Sequence, residues 1–283
     1  MIRRLFLLLS VFLSFQLYAG DLITACLNSS IADLWNLAGG SVDVTVQEAV
    51  DRGYASPDAI IIDSASGRNI SSEKLIEAAP DLILGSVDTS SHVRLKSFMD
   101  SIGWNMILIR QDSFQDFLEV LKTLTDITGR SDLYEKYGLG QEAEIDGIIE
   151  ECKEEKDIPH VLFIRAGNAF SAVRAKRTED HFAAGIINDL SAVNAADEMG
   201  ALTDTLSLEA ILKARIDKIL IVPQGDEEAS IDYVRYLFSQ PGWKDVPAIE
   251  SGEIYFLPKD LFHFKPNGRW AEAYRVMAEV LYG

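Results

Sequence analysis

The residues with chemistry to offer are few. His263 lies between two aromatics in Phe262-His263-Phe264, in a stretch that reads as a loop after a strand. An imidazole placed there could ligate iron, free or in haem. The same ring could instead pack against its aromatic neighbours. Arg165 ends a strand-like run from His160, and Arg174, Lys176 and Arg177 follow in the glycine-containing stretch Ala166 to Thr178, read as a loop. Against 44 acidic and 26 basic residues this basic group stands out. Guanidinium groups recognise carboxylates and other oxyanions, so the cluster points either to an anionic ligand or to a solvated basic loop. Arg68 sits in the polar loop Asp63 to Asn69, and His92 opens a helix after a strand, facing ligand or solvent. His160 and His181 read as structural, and Trp35, Trp104, Trp243 and Trp270 as core.

Other chemistries find little support. There is no Gly-x-Ser-x-Gly elbow, no His-Glu-x-x-His pair and no phosphate loop, so no enzyme is expected. A receptor for a free zinc or manganese ion would need three or four converging ligands. His92, His181 and His263 could contribute, but no His-rich loop is present. A scaffold or adhesin would need no cleft. The formal net charge of −18 argues against a nucleic-acid or anionic-membrane partner.

These residues have to be positioned by α/β units. Ser71 to Leu84 reads as a short helix, a turn and a buried strand, and the pattern returns at Ser207 to Leu220. Ser71/Ser207, Glu73/Glu209, Ala78/Ala214, Asp81/Asp217, Ile83/Ile219 and Leu84/Leu220 are identical. Each copy lies downstream of a strand-like start, Leu22 to Leu27 and His160 to Arg165. Such a repeat suggests two lobes of one plan. Phe114 to Thr128 and Asp132 to Lys156 are helical without a strand between them, and so read as a stiff linker. The expected organisation is an N-terminal lobe over residues 20–112, a helical linker over 113–157 and a C-terminal lobe over 158–283. The fold class is α/β: two Rossmann-like lobes with mostly parallel sheets joined by a long helical linker. Ligands of such sheets bind beyond the carboxyl ends of the strands, here near Asn28, Ser64, Val87, Ala166, Pro223 and Lys259.

Arg3 and Arg4, the apolar run from Leu5 to Phe15 and Ala19 together read as a signal segment over residues 1–19. The mature chain is expected to be exported across the cytoplasmic membrane, periplasmic and monomeric. Ile23-Thr24-Ala25-Cys26 resembles a lipoprotein box, which leaves a lipid anchor on Cys26 as the lesser alternative. Cys26, in a strand, and Cys152, in a helix, are expected to remain unpaired thiols.

Four segments in order carry a family resemblance. They are Ile70-Ser71-Ser72-Glu73 through Pro80-Asp81-Leu82-Ile83-Leu84, Ser101-Ile102-Gly103 before a strand, Leu206-Ser207-Leu208-Glu209 through Asp217-Lys218-Ile219-Leu220, and Gly242-Trp243 through Glu253-Ile254-Tyr255-Phe256-Leu257 with Lys265 to Arg269. Across nearly all of the mature chain, the sequence resembles the periplasmic substrate-binding proteins of ABC importers for iron-siderophore complexes, haem and cobalamin. The resemblance implies a cleft between the lobes that takes an iron complex, siderophore or haem. Cobalamin, a free metal ion or an oxyanion is the alternative cargo. It implies no resident cofactor and a membrane permease as partner, docked through Glu73 and Glu209. The candidate ligand contacts are Arg68, His92, Arg165, Arg174, Arg177 and His263, with His263 as the metal ligand. Ser64 to Asn69 departs from the aromatic or glycine-rich loop usual before the first glutamate.

Overall fold

Runs of β-branched and aliphatic residues separated by capped helices form two sheets. The computed structural model describes residues 22–63, 69–199, 208–214 and 216–283; the expected signal segment, Arg68 and the start of the second repeat copy lie outside them. The first sheet contains β1 (Thr24–Cys26), β2 (Val44–Thr45), β3 (Ile60–Ile61), β4 (Leu82–Ser86) and β5 (Met106–Ile109), all parallel, in the order β3-β2-β1-β4-β5. The chain reverses its direction of travel across the sheet between β1 and β4, the crevice where doubly wound sheets bind ligands. The second sheet contains β6 (His160–Ala166), β7 (Val173–Ala175), β8 (Val193–Asn194), β9 (Lys218–Pro223) and β10 (Ile254–Phe256), in the order β10-β9-β6-β7 with β8 also on β6. The stretch from Ala166 to Thr178 is therefore not a loop throughout. Val173–Ala175 pairs antiparallel with β6 and sets Arg174 opposite Arg165.

Alternation along the strands decides the layers. In β4, Ile83 faces an outer core with Leu75, Leu95 and Met99, whereas Leu82 and Leu84 face an inner one. In β6, Leu162 and Ile164 face a second outer core, whereas Val161 and Phe163 join the same inner core as Leu82. The inner faces of both sheets thus share one cluster, filled from the linker by Phe114, Phe117 and Leu121 and from the terminal helix by Trp270 and Met277.

The linker helices run Phe114–Thr128 and, after Gly129 in the left-handed region at φ 70°, Ser131–Lys153 with a π-turn at Glu135–Leu139. Ser113 and Asp116 form a capping box on the first of them.

The repeat is real in three dimensions. Each copy forms a short helix, Ser72–Ala78 or Leu208–Lys213, followed by the strand that pairs with its lobe's first strand. Leu75 and Ile211 are fully buried beneath the two helices. The Asp81 carboxylate accepts the Ile23 N–H at 3.0 Å, and the Asp217 carboxylate accepts the His160 N–H at 2.9 Å. The repeated aspartate thus clips the start of each lobe's leading strand. Gly242, at φ 87°, turns the chain so close to Leu208 that a Cβ there would lie 2.8 Å from its Cδ2, which explains a glycine before Trp243.

Cys26 and Cys152 are unpaired and buried. The Cys26 side chain is fully enclosed in β1, a strand with neighbours on both edges. An acyl chain on this sulfur would require Cys26 to leave the strand. Among the described residues no helix is long and apolar enough to cross a membrane.

Candidate functional site

Where the inner core ends, the next inward-facing positions are polar. Asn28 follows Cys26 by two, Ser86 follows Leu84, Gln111 follows Ile109 and Arg165 follows Phe163. All four line one cavity of about 410 Å³ at the carboxyl ends of β1, β4, β5 and β6, between the two sheets. A volume of this size suits a small-molecule ligand. Asp88, Thr89 and Asp112 complete the first lobe's wall; Asp180, His181, Phe182, His263, Phe264 and Lys265 complete the second's. Asn28 also caps the Ser29–Leu37 helix, accepting the Ile31 N–H at 2.9 Å.

Arg165 is the centre of the second wall. Its guanidinium donates to His263 Nδ1 at 3.0 Å, and its Nε is buried without a hydrogen-bond partner. Burial lowers its pKa from the usual arginine value. His263 caps the short Lys259–Phe262 helix and meets Phe264 edge to face, with centroids 4.8 Å apart. Burial, reinforced by the charges of Arg165, Lys259 and Arg52, pulls the imidazole down to about 4, so it is neutral at pH 7. His181 stacks on Phe182 with centroids 4.8 Å apart, and its Nδ1 accepts the Ala183 N–H at 3.2 Å. Burial first, then Arg165 and Lys265, push its pKa well down, so it too is neutral.

Lys265 behaves differently. It lies 3.5 Å from both Asp88 and Asp112 and donates to the Gln111 carbonyl at 2.5 Å. Its charge is matched by two acids of the opposite wall, and it ties the lobes together across the cavity. The Arg52 guanidinium lies 3.8 Å from the Phe264 ring centroid and makes a second cross-lobe contact. Behind the cavity, fully buried Asn267 binds the Ser30 carbonyl, the Asp33 carboxylate and the Gln111 amide. Gln141 of the linker donates to the Asn267 carbonyl.

The structure brings together only part of the set expected from sequence. Arg165 and His263 share the cavity wall and touch. His92 is 3% exposed, and its Nδ1 accepts the Ser86 N–H at 3.1 Å. It holds the end of β4 from behind and does not line the cavity. Arg174, opposite Arg165 on the antiparallel edge, turns to the Val173 carbonyl. Arg177 is held by Glu179 at 2.9 Å and by Asp180. Neither arginine lines the cavity, because the loop expected around them is partly a strand and a 3-10 turn. Arg68 lies outside the described residues. Glu73 and Glu209 are exposed in the first turns of the two repeated helices, with Glu209 ion-paired to Lys213 at 2.6 Å.

Ser86, Gln111, Asp112 and Lys265 were not among the expected contacts, and His181, read as structural or as one ligand of a bare ion, lines the cavity. For Ser86 and Gln111 the period of two along β4 and β5 was the available signal, since it carries the inward parity past the last apolar residue.

Comparison with known folds agrees with this architecture. The chain is similar in structure to IsdE of S. aureus, solved with haem (14% identity, covering 93% of this chain and 100% of that one, TM-score 0.75). It is similar to the periplasmic haem-binding protein RhuT of Roseiflexus sp. RS-1, solved in apo form (21% identity, covering 93% of this chain and 98% of that one, TM-score 0.72). It is also similar to the vitamin B12 binding protein BtuF of Vibrio cholerae (12% identity, covering 91% of this chain and 95% of that one, TM-score 0.72). No curated protein sequence matches the chain. Over residues 24–261 the sequence fits the model of a family described as periplasmic binding protein. On that match, which spans both sheets and the helices between them, the chain belongs to the periplasmic binding protein family.

Proposed function

We propose that this protein is the solute-binding receptor of an ABC importer, which captures an iron complex, siderophore or haem, between its lobes and hands it to a membrane permease. The observation that carries the reading is the cavity itself. It lies between two sheets of the family's fold and is lined by Arg165, which pairs with no acid among the described residues, beside neutral His263 and His181. A buried guanidinium with an unused N–H favours an oxyanion. Aromatic Phe182 and Phe264 offer flat apolar surface for the body of a chelate or macrocycle. Three of the structures similar to this one are named for haem or vitamin B12, and another is a siderophore-binding protein. Among the described residues no three His, Cys, Asp or Glu side chains converge as a cage for a bare ion, which favours a chelate over a free metal.

Glu73 and Glu209 are proposed as the docking points, one per lobe and both exposed. Matched anions on two lobes suit a partner with two cationic pockets, since charge complementarity sets orientation and encounter rate. The expected location is outside the cytoplasmic membrane.

The test is to purify the protein from its native host, record its visible spectrum and identify the released small molecule by mass spectrometry. A ferric chelate or haem is expected; a bare metal ion or a colourless sugar would overturn the reading. In parallel, the Glu73→Ala/Glu209→Ala double variant should bind that molecule normally yet fail to support uptake in cells with the cognate permease. Normal uptake would remove the docking role.

A further inference from the structure

The proton on His263 can be placed. Arginine carries five N–H donors and no acceptor, and it stays protonated in proteins. The ring nitrogen that faces Arg165 at 3.0 Å must therefore be the acceptor, so in the neutral imidazole the proton sits on the other nitrogen, Nε2. His181 is set the same way, since its Nδ1 accepts the Ala183 N–H. A metal-ligating histidine normally has the opposite arrangement. Its free nitrogen donates to a carboxylate, carbonyl or water, which leaves the other lone pair for the metal. Here the neighbour of Nδ1 is a donor, so binding iron through Nε2 would require either the loss of a second ring proton beside a cation or rupture of the Arg165 contact.

We propose that Arg165 and His263 form a donor pair for an anionic oxygen group of the cargo, and that His263 does not coordinate the cargo's metal. The Arg165 guanidinium lines the cavity and spends one N–H on His263, so a remaining terminal N–H supplies one donor and His263 Nε2 the other. Lys265 does not compete for the anion, being flanked by Asp88 and Asp112. The implied cargo is a chelate whose own atoms fill the metal's coordination shell and which presents a carboxylate or similar oxyanion to this wall. This rests on the reading of the cavity as a chelate site. The neutral state of His263, whose pKa burial and the neighbouring cations lower to about 4, agrees with a hydrogen-bond donor and not an imidazolium.

Nitrogen-detected NMR of histidine-labelled, ligand-free protein at pH 7 decides the tautomer. The Nε2–H form is expected for His263, and its preference should collapse in Arg165→Leu. An Nδ1–H form in the unmodified protein would overturn the proposal. Binding is then measured with haemin and with metal-free protoporphyrin IX, which carry the same two carboxylates. Both should bind with affinities within about 3-fold of each other, a gap under one tenfold step in Kd. Arg165→Leu should weaken both by about 10- to 100-fold, the worth of a charged hydrogen bond. His263→Gln, which keeps an N–H donor, should bind both better than His263→Leu. Iron-dependent binding that His263→Gln abolishes, with a changed Soret band, would overturn the donor role. If neither porphyrin binds, the haem branch of the functional reading fails, while the tautomer still decides this proposal.

Discussion

Replacing Asn267 with alanine is expected to destabilise the protein by about 3.5–8 kcal/mol. The residue is fully buried and sits at φ 48°, between the lobes and the linker. Its amide donates to the Ser30 carbonyl at 2.9 Å and to Asp33 at 2.7 Å, and its oxygen accepts from Gln111 at 2.8 Å. Two neutral hydrogen bonds are worth about 0.5–1.5 kcal/mol each and the bond to a charged group about 1.5–3 kcal/mol, so the bonds alone sum to about 2.5–6 kcal/mol. Alanine in the left-handed region adds about 1–2 kcal/mol of strain that asparagine relieves. Glycine, free of that strain, should recover up to about 1 kcal/mol relative to alanine. The loss should also depend on pH. Burial raises the Asp33 pKa and the Asn267 amide lowers it again, so without the amide the carboxylate ionises at higher cost. The difference between variant and parent therefore grows as pH rises through the Asp33 titration and shrinks in acid. The assay is the urea midpoint at constant slope, at pH 7 and at pH 4. A variant within about 1 kcal/mol of the parent at pH 7, the worth of a single hydrogen bond, would refute the claim that this network joins the lobes.

Three further outcomes follow from burial and connectivity. His92 titrates near 4 when folded and about 6.5 when unfolded, so the unfolded chain binds more protons in that window and stability falls as pH drops from about 6.5 towards 4. His92→Gln keeps an acceptor for the Ser86 N–H and should remove about 2 kcal/mol of that loss at pH 4.5, read from urea midpoints; an unchanged acid slope would count against a neutral buried His92. Neither thiol should react with Ellman's reagent at pH 8 in the folded state, because both are buried and burial raises their pKa values, whereas both should react in urea; fast native labelling of Cys26 would contradict its place in β1. Cargo binding should change the radius of gyration only slightly in small-angle scattering, because helical connections, Lys265 and Asn267 already join the lobes; a large decrease would show that these contacts open in solution.

Much of the fold was legible because the strands are short, apolar and bounded by caps. Ser113 with Asp116, Asn28 before Ile31, and Ala79 followed by Pro80 mark helix ends in ordinary ways. The β7 edge was not legible. Val173 to Ala175 is too short and too basic to show a strand period, and only its pairing with β6 makes it one. The loop reading of that stretch is what set Arg174 and Arg177 among the expected contacts. His92 lies behind the cavity wall for a different reason. A first-turn histidine looks exposed in sequence, but here it folds under β4 to serve the Ser86 N–H. Arg165 reaches the cavity wall because strand parity is local: two inward positions of β6, Val161 and Phe163, lead directly to it. Lys265 and Asn267 draw their roles from residues far away in the chain, such as Asp112 and Ser30, and no local pattern announces them.

The repeat unites these threads, because it separates what the fold needs from what a partner can use. Within each copy the aliphatic position, Leu75 or Ile211, is buried, and the aspartate, Asp81 or Asp217, spends its carboxylate on the first strand of its own lobe. Those positions are explained by stability alone. The glutamate is not. Among the described residues Glu73 makes no comparable tie to a strand, and Glu209 is paired only with Lys213 one turn on, an exposed pair that adds little. A first-turn acid gains about 0.3–1 kcal/mol from the helix dipole, a benefit that aspartate or a cap would supply as well. Both sit on helices away from the cavity wall, so an exchange at either should leave cargo affinity intact. Two exposed carboxylates at equivalent places on two lobes, with little structural work to do, are what a two-point contact with one partner requires. On the proposed docking role, the cavity and the docking face can change independently, the first through the polar residues that end each strand and the second through the helices behind them.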